Sequence, residues 1–109
     1  MNFDINEVLA DMLLAIKGSV KSDWNIVKDT ANEFLQSKKD RLELLSSLRL
    51  TNQITEHFFN LRLQNEKDIL ESELHAIAIL SKVAAQNAAN AAIDVLTKAI
   101  SVALNIVTL

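Results

Sequence analysis

Ile5, Val8, Leu9, Met12, Leu13, Ile16 and Val20 follow one another at intervals of three and four, so a helix would gather them on one face. Asp4 and Glu7 stand ahead of that stripe with the spacing of a capping box. A second stripe runs through Val27, Ala31, Phe34, Leu35, Leu42, Leu45 and Leu48. Between the two, near Gly18, the pattern weakens, and Ser19 or Ser22 can cap a fresh start. A kink is favoured there over a full turn. After Leu50 the phase breaks. Asn52 suits the left-handed position that follows a helix, Ile54 its hydrophobic contact, and Thr55 the cap of the next helix. A tight turn is expected over 51–55, and a rival break at Gln64 and Asn65 is weaker because the apolar residues around it stay nearly in phase. Ile54, Phe58 and Leu61 read as the next buried set. From there nothing stops a helix before about Val107, an element on the order of 75 Å long. The expected helices are 4–20, 22–50 and 56–107.

The last of these changes character at Ala76, beyond which only Lys82, Asp94 and Lys98 are ionised. Polar positions then shrink to a narrow stripe that includes Gln86, Asn87, Asn90, Asp94, Ser101 and Asn105. The preferred reading is a solvent face; the sharper alternatives are a register-setting amide row or the lining of a lumen. The apolar arc opposite is wider than a single neighbour requires. Within it Ala78, Ala85, Ala92 and Ala99 recur every seven residues, beside Ala89 and Ala103, and allow a close approach by a helix with large side chains. Folding back at Asn52 would set Ile16 near Ala89, Leu13 near Ala92, Val20 near Ala85, Leu35 near Leu70 and Ala31 near Leu74. The pattern therefore predicts an all-α chain in a long antiparallel hairpin, its first arm kinked near Gly18. The alternative is a three-helix bundle with a full turn at Gly18.

A hairpin alone cannot cover so wide an arc, so self-association is expected, with a dimer favoured that closes a helical bundle. The expected interface comprises Leu9, Met12, Ile79, Val83, Leu96, Ile100, Ala103 and Val107.

Composition sharpens this picture. With 109 residues, the chain is expected to be one domain over 1–109. Proline is absent and Gly18 is the sole glycine, so the usual punctuation of turns and hairpins is missing. A formal charge of −3 gives no basic footprint for nucleic acid. No cysteine is present, which rules out disulfide and thiolate chemistry and fits a reducing compartment. Asp4, Glu7 and Asp11 precede the first lysine, Lys17, unlike the positive start of a secretory signal, and a cytoplasmic location is expected.

Candidate chemistry is sparse. The side chains able to ligate a metal are Glu33, Glu43, Glu56, His57, Glu66, Glu71, Glu73 and His75, but the Glu-x-x-His pairs of a di-iron bundle are missing. Glu71 and His75, one turn apart, read as a solvated pair rather than a metal site, and His57 as exposed. No serine has an interpretable histidine partner, and no Gly-rich loop exists to cradle phosphate. Trp24, Phe58 and Phe59 read as core or rim rather than a ligand pocket. Lys82, Asp94 and Lys98 interrupt any bilayer-spanning run, though an interfacial helix with a thin polar stripe can lie on a membrane surface. The expected function is a non-enzymatic, self-associating structural or protein-interaction module without cofactor. A membrane-surface-active protein and a metal-carboxylate bundle are the alternatives.

Overall fold

The computed structural model describes residues 3–108, with side-chain surroundings for 3–105. Among them are four α-helices, α1 (Ile5–Val20), α2 (Trp24–Leu50), α3 (Glu56–Ala76) and α4 (Lys82–Thr108), and a short 3₁₀ turn at Lys21–Asp23. No strand occurs among the described residues.

Each connection reverses the chain. Asn6, Leu9, Ala10 and Leu13 line a groove with Asn32, Leu35 and Gln36, positions about equally distant from the Lys21–Asp23 turn. Lys38 and Arg41 reach Glu66 across the turn at Asn52. Glu56, Phe59 and Asn60 meet Thr97, Ile100, Ser101 and Leu104 across the break that follows α3. Up-down-up-down order results, and α1 closes the ring by packing on α4. The body measures 42 × 22 × 21 Å.

This compact bundle corrects the long hairpin. Lys17 and Gly18 remain inside α1, and the chain turns fully at Lys21, whose φ is 52°. The single helix expected over 56–107 is two helices. α3 ends at Ala76, Ile79 adopts φ 59°, and Ser81 opens α4 by accepting the Ala84 backbone N–H at 3.1 Å. A 75 Å rod is thereby halved, and α4 folds back to lie against α1, α2 and α3. Most of its wide apolar arc, Ala85, Ala88, Ala89, Ala92, Leu96, Ile100 and Ala103, is covered by the chain itself, while Val83 and Val102 stay exposed, so the arc no longer calls for a second copy along its whole length.

With almost no glycine, the turns rely on ordinary residues at positive φ. Lys21, Asn52 and Ile79 stand one at each reversal. At Asn52 the Gln53 N–H bonds the Leu48 carbonyl at 2.8 Å and the Asn52 N–H bonds that of Arg49 at 3.1 Å, the paired bonds of a Schellman ending. Thr55 then accepts the Phe58 N–H at 3.1 Å. At α1 the Asp4 carboxylate accepts the Asn6 N–H.

The core runs the length of the bundle. Met12 and Ile16 of α1 and Ala85, Ala88, Ala89, Ala92 and Leu96 of α4 are completely buried. Val27, Ala31, Leu35 and Leu42 join them from α2, and Leu63, Leu70 and Leu74 from α3. The methyl side chains on α4 let bulky α1 residues approach closely without voids. Ser46, the one buried hydroxyl on α2, returns its proton to the Leu42 carbonyl at 2.7 Å and so needs no tertiary partner. On the α4 polar stripe, Gln86, Asn87, Asp94, Ser101 and Asn105 are exposed and Asn90 half-buried.

Ile79 combines a left-handed backbone, costly for a β-branched residue, with a side chain 83% exposed that recovers little by burial. Ile79→Gly is therefore expected to raise the stability of the bundle by roughly 0.5–1 kcal/mol, after allowance for the greater freedom of glycine in the unfolded chain. Urea unfolding measures it; a loss of stability would show that the isoleucine makes a contact stronger than the strain.

Candidate functional site

Helical spacing carries Phe59, Leu63, Glu66, Leu70 and Leu74 onto the inner face of α3, so one carboxylate is drawn into the core with four apolar residues. Glu66 is only 2% exposed. Lys38 and Arg41, nearly one turn apart on α2, both turn toward it. The Arg41 Nε donates to Oε1 at 2.8 Å, while the Lys38 ammonium stands 3.4 Å from Oε2 as a charge contact without hydrogen-bond geometry. The same ammonium lies 5.9 Å from the centre of the Phe34 ring. Two cations against one carboxylate balance the charge that burial would otherwise make prohibitive. Among the described residues no hydroxyl or second carboxylate joins the cluster, so it ties α2 to α3 and offers no proton relay. The sequence reading placed Glu66 among possible metal ligands; its ion pairs had no local signal, because the partners lie 25 and 28 positions away.

The remaining ionisable candidates are dispersed. Among the described residues, no three His, Asp or Glu side chains gather where they could hold a metal ion. His75 donates from Nδ1 to the Leu80 carbonyl at 2.8 Å, which ties the end of α3 to the loop before α4. His57 is exposed and Glu71 half-buried. Trp24 is half-buried at the start of α2.

Of the interface expected from sequence, Leu9, Met12, Leu96, Ile100 and Ala103 lie in the core of the single chain. No partner reaches them unless the bundle opens. The cause is the second reversal at Ile79, which spends the α4 arc on α1, α2 and α3. Ile79 and Val83 are exposed, and the side chain of Val107 lies outside the described residues.

A different apolar surface emerges on α3. Phe59, rather than Phe58, is the core residue, and Phe58 and Leu61 point outward, 40% and 53% exposed. They begin an outer stripe continued by Asn65, Ile69, Ser72 and Ala76, all exposed, again at intervals of three and four. At its C-terminal end Asp68, Ile69, Ser72, Glu73, Ala76 and Ile77 line a shallow, mostly apolar depression. At its N-terminal end the Arg62 guanidinium covers the Phe58 ring, 4.9 Å from the centroid. This second stripe was present in the sequence, but reading α3 with a single buried face assigned Phe58 and Leu61 to the core.

No protein-family model, curated protein or solved structure matches this chain. No helix among the described residues is long and apolar enough to cross a membrane.

Arg41→Ala leaves the buried Glu66 carboxylate to Lys38 alone and is expected to cost about 2 kcal/mol, the usual worth of a hydrogen bond to a charged group. Glu66→Met, which fills the volume without a charge, should cost less or stabilise. Denaturant midpoints of the two variants compare them, and the reverse order would mean that the ion cluster contributes net stability.

Proposed function

We propose that this chain is a non-enzymatic helical protein-interaction module that self-associates, a dimer being the favoured state. The observation that carries it is the outer stripe of α3. An amphipathic helix on the surface of a monomer needs one apolar face, whereas α3 has two, one in the core and one, through Phe58, Leu61 and Ile69, in solvent. Spacing of three and four along that outer face suits a coiled-coil seam, and a polar residue at its centre, Asn65, suits a device that fixes register. The cysteine-free sequence is in keeping with work in a reducing compartment such as the cytoplasm.

Sedimentation equilibrium tests the proposal. Wild type at tens of micromolar should approach twice the 12.1 kDa of one chain, and Leu61→Asp with Ile69→Asp should return it to a monomer of unchanged helicity. A wild type that stays monomeric at several hundred micromolar would overturn it.

A further inference from the structure

α3 has the shape and charge of a self-complementary surface, and we propose that two copies pair through it in antiparallel fashion about a two-fold axis near Lys67. This rests on the self-association put forward above and adds to it the surface, the direction and the register. At 100° per residue Phe58 and Ala76, eighteen positions apart, lie in line on one side of the helix, a distance of about 27 Å. Between them come Leu61, Asn65, Ile69 and Ser72. The stripe is bulky at one end and small at the other: Phe58 and Leu61 stand proud, while the depression around Ser72, Glu73, Ala76 and Ile77 is a receiving surface. Reversal about the axis brings Phe58 over the partner subunit's Ala76 and Leu61 over the partner subunit's Ser72. Each knob meets a hole of the other copy, as dense packing requires.

Charge selects the same arrangement. Arg62 and Glu73 are eleven residues apart, so they flank the stripe on the same side within about 20°. Neither forms an ion pair among the described residues. In the register that seats Phe58 on the partner subunit's Ala76, Arg62 falls against the partner subunit's Glu73, and symmetry repeats the pair. Parallel pairing would set Phe58 against its own copy and carry Arg62 and the partner subunit's Glu73 to opposite flanks of the seam, eleven residues out of step, so their attraction would be lost. An antiparallel contact of this length removes on the order of 1,000 Å² from water, at the low end for specific interfaces, so a dissociation constant in the micromolar range is expected.

The experiment is a charge exchange read by sedimentation equilibrium, with circular dichroism to verify that each variant keeps its helices. Arg62→Glu and Glu73→Arg each turn two symmetry-related attractions into repulsions and should each weaken the dimer about tenfold. The double variant Arg62→Glu/Glu73→Arg restores both pairs in reversed sense and should recover most of the wild-type affinity. An equimolar mixture of the two single variants should form a heterodimer. A wild-type dimer indifferent to the single reversals, or a double variant no tighter than the singles, would overturn the register while self-association stood. A monomeric wild type would overturn both.

Discussion

Everything in this bundle depends on how closely α1 can approach α4. Along α4, Ala85, Ala88, Ala89 and Ala92 present only methyl groups to the interior, and all four are completely buried. Met12 and Ile16 on α1 are as completely covered. Were those alanines leucines, the two helices would stand farther apart, and the first and last elements would no longer close the ring that α2 and α3 leave open. The seam thus does more than fill space. It allows a chain of 109 residues, without proline and with one glycine, to bury a helix on three sides. The same closure decides which apolar residues remain outside: single ones on α1, α2 and α4, among them Leu14, Ile26 and Val102, and the Phe58, Leu61 and Ile69 stripe on α3.

The ion cluster at Glu66 serves a second constraint. Apolar contacts between α2 and α3 are non-directional, whereas a buried carboxylate paired with Arg41 and Lys38 favours the register in which it meets them. That register also sets the azimuth of α3. With Glu66 inward, Leu61, about 140° round the helix, faces outward, and Phe58 and Ile69, about 80° and 60° away, lie at the exposed margin. Core electrostatics and the outer stripe are two consequences of one helix orientation.

Much of the local structure was legible. The cap at Asp4, the left-handed Asn52 and the cap at Thr55 were readable because each depends on the residue and its immediate neighbours. The alanine periodicity of α4 and the need of that helix for several neighbours could be read for the same reason. Two reversals were harder. At Lys21 a lysine takes the positive φ while the glycine three residues earlier stays helical, so the residue best suited to a break was not the one used. At Ile79 an isoleucine does so, the residue type least expected there on steric grounds. Moreover the buried positions Leu74, Ala78, Ala85, Ala88 and Ala92 keep nearly the same helical phase across the gap, so hydrophobic periodicity carried no mark of the break. Missing that one turn converted a covered arc into an apparently bare one. It sent the expected interface to Leu96 and Ile100, which are buried inside the core.

The alanine seam is the claim on which the fold, and hence the location of any interface, stands. Its most direct test is the urea unfolding of Ala92→Leu beside Asn90→Leu, two positions on the same turn of α4, one completely buried against the bundle and one half-buried on the polar stripe. Overpacking at Ala92 should cost roughly 1–3 kcal/mol, while the same side chain at Asn90 should cost far less. Equal unfolding midpoints for the two variants would contradict close packing of α1 on α4 and the closed bundle with it.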